Sequence, residues 1–222
     1  MNPLLVVDDL RVSYPNRDGA YVEVVRGVSF TLGRERLGIV GESGSGKSQT
    51  GRAILGLTPP QGHVTAKRLT FDDIDLLTCP PRQRRNLRGD RIAMVLQDPK
   101  FSLNPVMRIG DQIVETLQAH ERVSDRVARK RALAMLEAVQ IRDPERVFSL
   151  YPHEVSGGMG QRVMIAMMLM CGPELLIADE PTSALDVTVQ LQVLSILDRL
   201  VRERGMGLIF VSHDLPLVSS FC

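Results

Sequence analysis

The chain has 222 residues, 44% of them hydrophobic and 24% charged, with a formal net charge of +1. This is the make-up of an ordinary globular protein of one domain, or of one domain with an inserted subdomain, and it supplies no global field for nucleic acid or an anionic membrane. Three cysteines, Cys79, Cys171 and Cys222, have no metal-ligand spacing, and so sparse and odd a count suits a reducing compartment better than a disulfide framework. The N-terminus lacks the basic start and apolar core of a signal peptide. The longest apolar run, Val163–Cys171, falls far short of the ~20 residues that span a bilayer. Any membrane role is therefore expected to come through a partner.

Residues 4–12 and 21–32 are rich in Val and partly alternating, which predicts two strands, and the Pro15–Gly19 stretch between them reads as a turn. An antiparallel hairpin is expected ahead of the main sheet. Tyr14 stands at the end of its first strand. From position alone it reads as a packing residue, the alternative being a flat surface for a nucleobase.

The apolar run Leu37–Val40 leads into Gly41-Glu42-Ser43-Gly44-Ser45-Gly46-Lys47-Ser48, and a helix-compatible run, Gln49–Leu57, leads out. This fits G-x-x-x-x-G-K-[ST] at every fixed position, in the strand–loop–helix setting a P-loop needs. Glycines let successive N–H groups turn inward, and the helix N-terminus adds positive potential beneath the same anion. Lys47 is expected to reach the terminal phosphates of a nucleoside triphosphate, and the Ser48 hydroxyl to ligate Mg²⁺.

Pro59-Pro60-Gln61-Gly62 breaks the chain, and Arg68–Phe71 reads as a strand returning to the sheet. The basic run of Arg82, Arg84, Arg85, Arg88 and Arg91 has no interleaved aromatics and several aspartates nearby, so it reads as a solvated helix face rather than a nucleic-acid patch. Arg91–Leu96 predicts a buried strand ending at Gln97-Asp98-Pro99. Ligands of parallel α/β sheets bind at the carboxyl ends of strands, so Gln97 either faces the nucleotide or simply ends a strand. Residues 111–120 and 124–140 carry helical periodicity, with Ser124 as an N-cap.

Ser156-Gly157-Gly158-Met159 opens an apolar helix expected to run to Cys171. It reads as a second anion nest or as a plain turn. Leu175–Ala178 then delivers Asp179 and Glu180 to the end of a buried strand. The first acid suits the Mg²⁺ shell, and the second is placed to orient or deprotonate a water. A helix is predicted over 186–204 with Gly205 as its stop, and a buried strand over 206–211 ending at Ser212-His213-Asp214. A histidine in that place is expected at the site.

In this order the P-loop, Gln97, Ser156-Gly157-Gly158, Leu175–Glu180, Ser183-Ala184-Leu185-Asp186 and His213 resemble the ATP-binding cassette (ABC) ATPases. The resemblance covers nearly the whole chain. It implies an α/β P-loop NTPase fold with an N-terminal antiparallel β subdomain and an inserted α-helical subdomain. The core would be approximately 1–97 with 172–222, and the helical part 98–171. It also implies a head-to-tail dimer with two ATPs, each held between one subunit's Gly41–Ser48 loop, followed by Gln49, and the other's Ser156–Met159. In that frame Tyr14 stacks on adenine, reversing the reading from position. Gln97 contacts Mg²⁺ and the attacking water, Asp179 holds the Mg²⁺ shell, and Glu180 is the general base. Asp186 lies at the dimer interface, and His213 bonds the γ-phosphate.

A narrower set, Leu37–Ser48, Gln97-Asp98-Pro99 with Ser102–Met107, Ser156–Ala166 (SGGMGQRVMIA) and Pro181–Gln190 (PTSALDVTVQ), looks like the dipeptide/oligopeptide/nickel importer branch. That branch implies a peripheral ATPase on the cytoplasmic face of the inner membrane. Its partners would be two permease subunits, a second cassette and an extracytoplasmic solute-binding protein, with peptides as cargo and no nucleic acid. A nickel or other small-solute importer, an ABC ATPase outside transport and an inactive truncated remnant are the alternatives. Gly160 stands where the branch usually has Arg, and Ser183 where Thr is usual. Cassettes of the branch continue through further strands and an extension, so a chain ending at Cys222 reads as C-terminally short.

Overall fold

The computed structural model describes residues 3–222. The chain divides into two compact units, one running up to Arg88 and resuming at Gly207–Cys222, the other Gly89–Met206.

In the first unit, β1 (Leu5–Pro15) pairs antiparallel with β2 (Tyr21–Leu32), from Leu5↔Leu32 to Pro15↔Tyr21. Asn16 closes the turn by accepting from the backbone N–H groups of Asp18 and Ala20. The expected hairpin is present because β1 alternates on each side of an irregularity between Val7 and Leu10, so that Leu5 and Val7, then Leu10 and Val12, go inward and are buried. After β3 (Arg36–Val40), α1 (Lys47–Leu55) ends at Gly56 in the left-handed region (φ 64°). β4 (His63–Thr65) and β5 (Arg68–Phe71) both pair with β1, and β6 (Ile74–Asp75) pairs with β5. Only β5 among these three was expected, since segments of two or three residues carry no periodicity to read.

α2 (Pro81–Leu87) corrects the solvated reading of the basic run. Arg84 donates to the Ala53 carbonyl at 3.1 Å, and Arg88 to the Leu55 and Gly56 carbonyls at 2.7 Å each. Both guanidiniums thus serve carbonyls at the end of α1, where the helix dipole favours positive charge. Arg82 and Arg85 are exposed as expected.

In the second unit, β7 (Ile92–Val95) and β8 (Leu175–Asp179) pair in parallel from Ile92↔Leu175 to Val95↔Ala178 and are buried throughout. Arg91, the last arginine of the basic run, pairs with Glu174 at 2.5 Å. α3 (Ile109–Gln118), α4 (Asp125–Ala138), α5 (Pro144–Ser149) and α6 (Gly157–Met168) lie between these two strands in sequence, and α7 (Val187–Arg204) follows. Ile113, Leu117, Ala128, Ala132, Leu136 and Val163 are fully buried, the inward stripes of α3, α4 and α6. α6 stops three residues before Cys171: Met170 N–H bonds back to Met167, and Gly172 takes φ 71°. α5 was missed, although Asp143 caps it by accepting from Arg146 and Pro144 opens it.

β9 (Gly207–Ser212) returns to the first unit and pairs in parallel with β3, Arg36↔Leu208 to Val40↔Ser212. The last helix, α8 (Leu215–Phe221), was also missed. It packs Phe221 on Phe210 at 4.8 Å between ring centroids, under the Arg36 guanidinium. Among the described residues no helix is long and apolar enough to cross a membrane.

Candidate functional site

In the first unit, β3 ends at Val40 and α1 begins at Lys47, so the loop between them sits at the strand's carboxyl edge. Gly46 shows why the loop needs glycine: its φ is 91°, and a Cβ there would lie 2.3 Å from the Val24 carbonyl oxygen. Lys47 is 7% exposed, and its ammonium donates to the Gly41 and Glu42 carbonyls at 2.7 Å each. Residues 42–45 are exposed, and the first turn of α1 carries no acid to neutralise its dipole. A loop of N–H groups, a helix N-terminus and a buried ammonium together form a cationic cradle for an anion.

The register Val40↔Ser212 sends Gly41 and His213 off the same edge of the β3–β9 pair. His213 is exposed there, between Ser212 and Asp214, which caps α8 by accepting from Leu217 at 3.0 Å. In the same unit, the Tyr14 hydroxyl donates to the side-chain oxygen of Gln49, in the first turn of α1, at 2.7 Å. The Tyr14 ring lies so close to Gly62 that a Cβ there would meet it at 2.7 Å.

The second unit repeats the device. Val95↔Ala178 sends Gln97 and the pair Asp179, Glu180 off one edge of the β7–β8 pair. Gln97 is exposed, Asp179 is 4% exposed, and Glu180 is half-buried. Glu180 adopts φ 47°, a left-handed conformation that a non-glycine residue holds only when its surroundings enforce it. Its carbonyl accepts from the Ser183 N–H at 3.3 Å and from the Ser183 hydroxyl at 3.2 Å.

Ser156 is the N-cap of α6, its hydroxyl accepting from Met159 N–H at 3.4 Å, and again no acid occupies the first turn. The two glycines that follow differ. A Cβ on Gly158 would meet Val189 of α7 at 2.4 Å, so that glycine serves internal packing. A Cβ on Gly157 would meet nothing within 4 Å. Among the described residues, nothing packs where a side chain at 157 would begin. Arg162, one turn on, donates to the Gly158 and Gln140 carbonyls, and burial lowers the pKa of its guanidinium, with Arg142 adding to the effect. Asp186 caps α7 by accepting from Val189 at 3.0 Å.

A hollow of about 630 Å³ in the second unit brings three expected segments to one place: Asp98 and Pro99 after Gln97, Ser156 and Gly157, and Ala184 and Leu185 before Asp186. Gly160 also lines it, with room for a first side-chain carbon at 3.6 Å from Pro99. Sequence reasoning did not single out Gln161, whose amide donates to the Pro181 carbonyl at 2.6 Å. The only signal was its place in the quoted Ser156–Ala166 stretch.

The family model described as ABC transporter matches residues 25–183. The chain belongs to the ABC transporter family. Within the family it is similar to the oligopeptide transport ATP-binding protein OppD of Salmonella typhimurium, with 48% identity over all of this chain and 66% of that protein. It is also similar to the dipeptide transport ATP-binding protein DppD of Bacillus subtilis, with 46% identity over 99% of this chain and 66% of that protein. The chain thus spans just under two thirds of these relatives. Among solved structures, the dimeric bacterial ABC transporter cassette MJ0796 superposes with a TM-score of 0.83 at 29% identity, covering 98% of this chain and 90% of that one. The same cassette in a post-hydrolysis state bound to ADP and Pi gives 0.81 at 28% identity, with the same coverage. The family and the α/β cassette fold expected from the sequence agree with these findings.

Proposed function

We propose that this chain is the ATP-binding and hydrolysing subunit of a bacterial importer of di- and oligopeptides, peripheral on the cytoplasmic face of the inner membrane. Two permease subunits, a second cassette and an extracytoplasmic binding protein complete the transporter. The observation that carries the reading is 48% identity along the whole chain to an oligopeptide transport ATP-binding protein. The core is approximately 1–97 with 172–222, and the helical subdomain 98–171.

In this reading the triphosphate enters the cradle of Gly41–Ser48, and the Lys47 ammonium passes from the Gly41 and Glu42 carbonyls to the terminal phosphates. Tyr14 stacks on adenine, with Gln49 holding its hydroxyl. Ser48, Gln97 and Asp179 are oxygen donors, one of them a buried carboxylate, and this set fits Mg²⁺. These residues would hold the ion, which would supply neutralisation of phosphate charge. Glu180 takes the proton of the attacking water, and His213 bonds the γ-phosphate and aligns Glu180 with the water. Ser156–Met159 and Asp186 serve the nucleotide of the partner cassette. The open space over Gly157 and the dimeric form of the similar cassette MJ0796 both support that assignment.

The test is ATP hydrolysis by the transporter reassembled in vesicles from this chain, its permeases and its second cassette. Peptide-loaded binding protein is expected to raise the rate several-fold. Stimulation by a nickel-loaded binding protein instead would overturn the cargo, and no turnover under any condition would overturn the enzyme.

A further inference from the structure

We propose that Gln161 is a positioning residue: its buried side-chain amide ties the helix that carries Ser156–Met159 to the turn that carries Glu180, and so sets where the Glu180 carboxylate stands. The inference rests on the general-base reading of Glu180 given above.

Gln161 is 1% exposed. A primary amide is kept in such a place only with its hydrogen bonds made, because an unpaired buried polar group is costly. Its Nε2 donates to the Pro181 carbonyl at 2.6 Å across twenty residues of sequence. Pro181 has no N–H, so this carbonyl is its sole backbone polar group, and the bond holds the residue next to Glu180 directly. Glu180 itself adopts φ 47°, and the carboxylate direction depends on that backbone remaining in place. On its other side the turn is closed locally by Ser183. Gln161 supplies a non-local constraint.

Geometry gives the tie its use. Gln161 is five positions after Ser156, on the same helix α6. A helix transmits displacement along its axis as a rigid rod, so a ligand engaging the Ser156 end reaches the Glu180 turn through one buried hydrogen bond. The residue touches neither nucleotide nor water in this account. It acts through Glu180 alone.

The test is Gln161→Met, which keeps length and apolar stem and removes the donor. The expected result is a fall in kcat of about tenfold or more, as angstrom-scale misplacement of a reacting group costs, with KM for ATP within about twofold. In the Glu180→Gln background the same substitution is expected to change residual turnover by less than about twofold, since the group it positions is gone. Gln161→Glu supplies the signature a merely structural role would not give. Burial raises that carboxyl's pKa, the protonated form donates to Pro181, and the ionised form repels it. The kcat of this variant relative to the parent therefore climbs as pH falls from about 8.5 to about 6. An unchanged kcat in Gln161→Met, an equal loss in both backgrounds, or a flat pH ratio would overturn the proposal. Amide hydrogen exchange reads the tie without any turnover: Thr182 and Ser183 are expected to exchange at least about fivefold faster in Gln161→Met. Unchanged exchange overturns the tie even in an active enzyme, whereas absent ATP turnover in the parent overturns the general-base reading and leaves the tie to be judged by exchange.

Discussion

Gly157 and Gly158 are neighbours of the same type with different reasons for being glycine. Gly158 lies against Val189, where a Cβ would sit 2.4 Å from a methyl, while a Cβ on Gly157 would meet nothing within 4 Å. Gly158→Ala is therefore expected to lower thermal stability by about 1–3 kcal/mol through overpacking, and Val189→Ala in the same chain to restore most of it. Gly157→Ala is expected to leave melting unchanged or slightly raised, because alanine favours the helix, yet to reduce ATP turnover in the assembled transporter about tenfold by crowding the partner's nucleotide. Differential scanning calorimetry and ATPase rates separate the two. Equal loss of stability at both positions would remove the argument that Gly157 faces a ligand.

At the scale of elements, α2 shows where one-dimensional reading stops. Its arginines looked like a charged, solvated face because local composition contains no information about what lies across the fold. In the structure Arg84 and Arg88 reach back about thirty residues to the carbonyl end of α1, the helix whose other end forms the cationic cradle. Arg88→Ala removes two charge-assisted bonds of 2.7 Å and leaves two helix-terminal carbonyls without their donor. The expected cost is about 1.5–3 kcal/mol, seen as a drop of about 5 °C in melting temperature for a chain of this size. No change in melting would mean that water replaces the guanidinium without cost. The hairpin β1–β2, the buried strands β7, β8 and β9 and the long helices were legible because their periodicity is strong and local. The short β4 and β6, α5 and α8 were not, being too brief to show a period. The carboxyl-edge residues Gln97, Asp179, Glu180 and His213 were legible as candidates from the apolar runs they terminate. The link from Gln161 to Pro181 was not, because a hydrogen bond between residues twenty apart leaves no local trace.

For the whole molecule, the parallel pairs of both units deliver polar side chains at their carboxyl ends: the cradle and His213 from one, Gln97, Asp179 and Glu180 from the other. This is where α/β sheets place ligands, and the chain belongs to the ABC transporter family. Hydrolysis is expected to depend on Glu180 above any other side chain. The direct measurement is phosphate release at saturating ATP by the reassembled transporter carrying this chain or its Glu180→Gln variant, with bound nucleotide measured in parallel. The expected result is ATP affinity within about twofold and phosphate release at least about 100-fold slower in the variant, the loss that follows removal of a general base. Phosphate release at the parental rate, with ATP equally bound, would contradict it.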